Sequence, residues 1–209
     1  MPNTDPEHPL RLLCNNMLRS LELNVPCCNV SVIETGAEVS GDFNSPLYWR
    51  NTGQKFIEYK KYLEALPDDD ICIFTDVDVV YLRNPIPIFE QLYSRGYDVI
   101  AQHSVSERIF APSICLVKKT ASIIFDIEPY FEQYTNYDKF SDQGFMNDQL
   151  KKYPEIKRHI LSASEFPEGI FWYKNHELLP EPYAVHYSWI TNSQDKITRM
   201  KEFGHWFLS

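Results

Sequence analysis

Apolar positions along the chain recur in two rhythms, one helical and one strand-like. Between Asn15 and Leu23 they fall at Met17, Leu18 and Leu21, one helix face, and Asn24-Val25-Pro26 stops that helix before a β-branched run from Val30 to Ile33. A loop rich in Gly, Ser and Asn, Thr35 to Pro46, leads to a second helix, Tyr48 to Leu66, with Phe56, Tyr59, Tyr62 and Leu63 on its inner side. Pro67-Asp68-Asp69-Asp70 ends it. Ile71-Cys72-Ile73-Phe74 is then an unbroken apolar run, the length and composition of a central strand covered on both faces.

The second half of the pattern predicts a short helix from Ile86 to Arg95, strands at Tyr97 to Gln102 and Ile114 to Val117, and helices at Ala121 to Tyr134 and Gln143 to Tyr153. Ile160-Leu161 and Tyr183 to His186 read as short strands around an aromatic, proline-rich loop, and Asp195 to Phe207 as a closing amphipathic helix. Strands alternating with helices give an α/β fold with a mainly parallel central sheet flanked by helices, in which ligands bind beyond the carboxyl ends of the strands. With no internal repeat and no linker, residues 1–209 read as one domain.

Composition narrows the function classes. The 209 residues are 44% apolar and 23% charged, and their 14 prolines and 7 glycines follow no period, so the chain is globular rather than fibrous or disordered. Twenty basic against 29 acidic residues leave a net charge of −9, with no Lys/Arg stripe to neutralise phosphates; general nucleic-acid binding is excluded, and a phosphorylated ligand would come with a metal ion. No window approaches the roughly 18 apolar residues of a membrane span, and Met1 to Leu10 is polar and proline-rich, unlike a signal peptide. Cys14, Cys27, Cys28, Cys72 and Cys115 form no CxxC pair, and Cys72 and Cys115 lie in apolar runs; reduced thiols and a cytoplasmic location follow. Asn29-Val30-Ser31 fits a glycosylation sequon but opens an apolar strand.

The strongest chemical signal is Phe74-Thr75-Asp76-Val77-Asp78-Val79-Val80, two carboxylates one residue apart directly after a buried strand. In extended geometry both face one side, and their repulsion calls for a cation; oxygen ligands so spaced suit Mg²⁺ or Mn²⁺ bridging a diphosphate. The alternative is an acidic turn capping the next element. The apolar strand before the pair and Arg83-Asn84-Pro85 behind it favour the ligand reading.

Ile71 to Pro85 (ICIFTDVDVVYLRNP) resembles the D-x-D segment of the nucleotide-diphospho-sugar transferases, glycosyltransferases of the GT-A fold. Gln54-Lys55, with Trp49 upstream, resembles the family's W…GQKF segment, and Ser141-Asp142-Gln143-Gly144-Phe145 its DQ segment. Val185-His186-Tyr187 with Lys196, Met200, Gly204 and Trp206 resembles its closing segment. The resemblance implies a GT-A-like domain with a Rossmann-like nucleotide-binding half, a UDP-sugar donor and a divalent ion. By it, Asp76 and Asp78 bind the ion, Asp78 more directly and Asp76 shared with the ribose, and His186 completes the set. An imidazole tips the choice to Mn²⁺ over Mg²⁺. Lys196 would reach the diphosphate, Asp142 would hold donor hydroxyls and Gln143 would face the anomeric carbon. Glu34, Thr35 and Gly36, with Lys55 or Gln54, would build the nucleotide end.

Each role has a plainer alternative: His186 as a hydrogen-bonded core residue, Lys196 as a solvated helix residue, Asp142 and Gln143 as helix caps. The chain also departs from the family. Only Leu10 to Leu13 precede Asn15 where relatives begin with a full strand, and Ala111-Pro112-Ser113 replaces an Asn-Ser-Gly segment. There is no Golgi-type anchor, which fits a cytoplasmic enzyme, in the host cytoplasm if viral, or a catalytic domain cut from a longer chain.

The expected activity is metal-dependent transfer of a hexose or deoxyhexose from a UDP-sugar to the hydroxyl of a glycan or glycoprotein acceptor, with retention by resemblance. An inverting enzyme would need a carboxylate base, for which Asp142 or Asp148 could serve. Phe171, Trp172, Tyr173, Tyr183 and Tyr187 offer rings for stacking on an acceptor sugar, or simply pack a loop. Two rivals remain: a haloacid-dehalogenase-type phosphatase using Asp76-Val77-Asp78-Val79-Val80, against which the loop's position and the lack of a later G-D-x-x-x-D pair count, and a non-catalytic sugar-binding domain.

Overall fold

The structure, a computed structural model, describes residues 7–26, 28–33, 46–68, 70–104, 106–131 and 142–209. Helix α1 runs Pro9–Asn24, earlier than the pattern suggested: Pro9 opens it, His8 caps it by accepting from the Leu10 N–H, and Leu10 to Leu13 join the helix. Residues 28–33 belong to no strand ladder among the described residues, so the expected strand at Val30 to Ile33 is absent there. Helix α2 is Pro46–Ala65, followed by β1 (Ile73–Thr75), β2 (Val79–Tyr81) and α3 (Ile86–Ser94). Next come β3 (Val99–Ser104) and β4 (Ser106–Val117). The helix expected from Ala121 is instead two 3₁₀ segments, Lys119–Phe125 and Glu128–Tyr130, interrupted before Pro129. The chain closes with α4 (Asp142–Lys152), β5 (Arg158–Ile160), α5 (Gly169–Asn175), β6 (Ala184–His186) and α6 (Ser193–Glu202).

The main sheet has the order β1-β4-β3-β5, with helices packed on it; β1 is therefore an edge strand among the described residues, with Ile71 exposed, and not the central strand covered on both faces that its apolar run suggested. Its pairing corrects the expectation of mainly parallel strands: among the described residues only β3 and β5 run parallel, while β1/β4 and β3/β4 are antiparallel. The reason is local. Ser104 pairs with Ser106, so β3 turns straight into β4, and a connection this short has no room for the crossover that parallel strands need. Alternation along β3 sorts the core: Val99 and Ala101 face Phe56, Tyr59, Leu63, Phe125 and Phe145, whereas Ile100 faces Met17, Leu21, Phe89 and Phe166. Phe74 on β1 stacks on Tyr59 with ring centroids 4.1 Å apart, locking α2 against the strand that leads into the site.

The element that closes the site is a second, two-stranded sheet, β2 with β6, which the sequence pattern did not show. Val79 pairs with His186 and Tyr81 with Ala184 in antiparallel register. Both strands are fully buried, packed among Leu13, Trp172, Tyr187, Ile197 and Met200. Their register places the end of the chain against the residues that follow β1.

Candidate active site

At the end of β1 the chain turns through Asp76-Val77-Asp78 before entering β2. The Asp76 N–H donates to Ser113 O on β4 at 2.9 Å, and the Tyr187 N–H donates to Asp78 O at 2.9 Å, so each aspartate is pinned to a different sheet. The carboxylates therefore converge through a turn, not through the extended geometry expected from their spacing. Ligand atoms of Asp76, Asp78 and His186 all lie within 4.8 Å of one another. His186 Nε2 is 3.4 Å from Asp78 Oδ1, and its Nδ1 is buried without a hydrogen-bond partner. Two carboxylates and an imidazole fit Mn²⁺ and accept Mg²⁺.

The repulsion within the aspartate pair is relieved by two lysines. Lys55 Nζ sits 2.9 Å from Asp76 Oδ1 and 2.7 Å from Asp142 Oδ2; Lys196 Nζ sits 2.6 Å from Asp78 Oδ2. Burial pushes Asp78 upward, but Lys196 and His186 outweigh it and hold its carboxyl well below the usual carboxylate range. Lys55 shows the mirror case: burial lowers it, and Asp142 and Asp76 more than reverse that, keeping it charged. The thiols nearby offer no nucleophile, since burial pushes Cys72 up to about 11 and Cys115 higher still.

A cavity of about 1190 Å³ opens on this cluster. Its lining combines charged groups, Lys55, Asp76, Asp78, Asp142 and Lys196, with apolar side chains that include Met17, Val32, Ile33 and Ile71. Its volume exceeds the roughly 300–1,000 Å³ of ordinary ligand pockets, ample for a nucleotide-sugar.

The other expected residues fare unevenly. Asp142, the first residue of α4, accepts from the Gln143 N–H at 2.8 Å and also pairs with Lys55 at 2.7 Å. The Gln143 side chain is half-buried and makes no intramolecular hydrogen bond among the described residues; Gln54 is occupied by Glu58 at 3.0 Å, one turn along α2. Glu34, Thr35 and Gly36 lie outside the described residues. Ala111-Pro112-Ser113 sits in β4 where three residues are added against β3, and Ser113 supplies the carbonyl that holds Asp76. Of the candidate acceptor aromatics, Tyr187 and Trp172 are buried core residues, and Tyr183 is stacked on Phe166. No pattern pointed to Glu168, a buried residue whose backbone forms a parallel β-bridge with His186, because neither its burial nor that pairing has a local sequence signal.

Residues 19–200 match the profile of the nucleotide-diphospho-sugar transferases. The chain belongs to this family. It is an enzyme that transfers a sugar from a nucleotide-sugar donor, which removes the phosphatase and sugar-binding alternatives. Solved structures share its fold. A glycosyltransferase involved in glycosylation of the major capsid of the virus PBCV-1 superposes with a TM-score of 0.66 at 12% identity, over 95% of both chains. The galactosyltransferase LgtC, solved with donor and acceptor sugar analogues, superposes at 0.57 and 14% identity, over 96% of this chain and 93% of that one. Sequence comparison with curated proteins returns no match. No helix among the described residues of this transferase is long and apolar enough to cross a membrane.

Proposed function

We propose that this transferase is a metal-dependent enzyme moving a hexose or deoxyhexose, with retention, from a UDP-sugar to a glycan or glycoprotein hydroxyl, with residues 1–209 acting as one catalytic domain. The observation that carries the reading is the convergence of Asp76, Asp78 and His186 from two sheets, with both aspartates lining the cavity. Asp76, Asp78 and His186 hold the divalent ion, Mn²⁺ before Mg²⁺, whose chemistry is to neutralise the donor diphosphate as the sugar leaves. Lys196 places a fixed cation beside the same diphosphate, an electrostatic contribution to leaving-group departure. Lys55 ties Asp142 to Asp76 and so fixes the sugar side of the cavity relative to the metal side. Asp142 takes donor hydroxyls, and the Gln143 amide faces the anomeric carbon. Retention and the UDP donor follow from the family resemblance; the likeness to a capsid glycosyltransferase and a galactosyltransferase supports a hexose donor and a glycan acceptor.

The deciding experiment is a thermal-shift screen of UDP-, GDP- and CMP-sugars with and without Mn²⁺, followed by donor hydrolysis. A ligand at 100 times its dissociation constant adds about 2.7 kcal/mol of stability. UDP-sugars stabilise only with Mn²⁺ and are slowly hydrolysed; equal stabilisation without metal would refute the metal assignment.

A further inference from the structure

Trp189 is built unlike any other aromatic residue described in this chain. Among the described residues it is the single non-glycine with positive φ, at 64°, a conformation that a bulky side chain adopts only where its surroundings enforce it. It is also 52% exposed, whereas Tyr187 and Phe166 are fully buried. What enforces its position is a buried carboxylate. Trp189 Nε1 donates to Glu168 Oε2, Ser188 Oγ donates to the same oxygen at 3.2 Å, and Glu168 itself is only 3% exposed. The Gly169 N–H donates to Ser188 Oγ at 3.1 Å, and Tyr173 OH donates to Ser188 O at 3.2 Å. A Cβ at Gly169 would fall 2.2 Å from Ser188 O, so this loop is clamped tightly over the start of α5.

Burying a carboxylate is unfavourable unless its contacts compensate, and here one contact holds a ring that stays in water. Core packing does not account for an anchored, half-exposed indole. Its place in the chain does: Trp189 follows His186 by three residues, which span at most about 11 Å. The backbone of Glu168 forms a parallel β-bridge with that of His186, and the His186 N–H donates to Pro167 O at 3.1 Å. The anchor and the candidate metal ligand thus share one backbone junction.

We propose that Trp189 is the acceptor platform: an indole held by its edge presents a ring face on which the C–H face of a pyranose acceptor stacks, next to the site of transfer. Glu168 is its positioning residue. The proposal rests on the transferase site described above and moves the acceptor contact from the aromatic segment 171–187 to Trp189.

Saturation-transfer NMR with the methyl glycosides of galactose, glucose, fucose and xylose, in the presence of UDP and Mn²⁺, tests it without requiring turnover. At least one glycoside gives a signal with the wild-type protein, strongest at the protons of one ring face. That binding weakens about tenfold in Trp189→Ala and returns in Trp189→Tyr, which keeps a stacking ring. Absence of any glycoside signal in the wild type, or a signal equal in Trp189→Ala, overturns the platform. The UDP-with-Mn²⁺ thermal shift of the same samples separates the two ideas. A shift without Trp189-dependent glycoside binding leaves the donor site standing and the platform refuted; Trp189-dependent binding without a shift does the reverse.

Discussion

The two aspartates of the turn after β1 have the same chemistry and different surroundings. Asp76 is served by elements that precede or flank the main sheet, Lys55 of α2 and, across that lysine, Asp142 of α4; its side chain is 24% exposed. Asp78 is served from the far end of the chain by His186 of β6 and by Lys196 of α6, 118 residues away, and is 11% exposed. Lys196 and His186 hold Asp78 strongly in its charged form against the cost of its burial. The difference shows how one D-x-D motif makes two unlike candidate ligands: the more buried carboxylate lies against Lys196 and His186, so it ties the turn to the far end of the chain. The more exposed one shares Lys55 with Asp142.

The largest expected effect follows directly. Asp78→Asn removes Mn²⁺-dependent UDP affinity by more than about 100-fold, while Asp76→Asn, measured by the same titration, loses less. Equal losses would erase the distinction between the two arms. Removing Asp78 also leaves Lys196 and His186 without their shared carboxylate, so a fully neutral effect on the metal-free fold, which the bare repulsion of two aspartates would predict, is not expected.

Gln143→Ala sharpens the comparison on the sugar side. Turnover of donor falls about 10- to 100-fold with UDP affinity nearly unchanged, read as a split between kcat and the binding titration. A matching loss of UDP binding would move Gln143 to the metal side.

The lysines give the next effect, on stability in denaturant without metal. Lys196→Met leaves a buried carboxylate short of its main cation and costs about 3 kcal/mol; Lys55→Met, beside more exposed groups, costs about 2 kcal/mol. The sign with pH is fixed by the depressed Asp78. Its folded form binds its proton less readily than the unfolded chain, so its contribution is present above about pH 4 and lost as pH falls into the acid range. Lys196→Met should reduce that acid-induced loss, and an unchanged acid limb would show that Lys196 does not hold Asp78.

The smallest effect lies behind the Asp78 arm. Burial pushes His205 down to about 4, and its Nδ1 lies 2.7 Å from Tyr187 OH, next to His186. The unfolded histidine protonates near pH 6.5 while the folded one stays neutral, so this contribution is present above pH 6.5 and lost as pH falls toward 4. Thermal unfolding from pH 7 to pH 4 should show about 1–2 kcal/mol of this loss, absent in His205→Gln.

Much of the protein was written locally. The apolar run ending at Phe74, the inner face Phe56, Tyr59 and Leu63, and the Asp76-Val77-Asp78 signal all depend on neighbours within a few residues, and side-chain periodicity reports such neighbours faithfully. The family itself was legible because four short segments kept their order. Strand direction was not, because the same apolar alternation suits parallel and antiparallel pairing and only the tight Ser104/Ser106 turn chooses between them. Nor did spacing show that the aspartates converge through a turn with a lysine for each, or that β2 pairs with β6. Those depend on contacts between residues far apart in sequence, where no periodicity reaches. Composition marked residues 171–187 as aromatic, yet which rings are core and which one stands in water on a buried glutamate was decided by packing alone, since burial belongs to the assembled fold rather than to any residue in it.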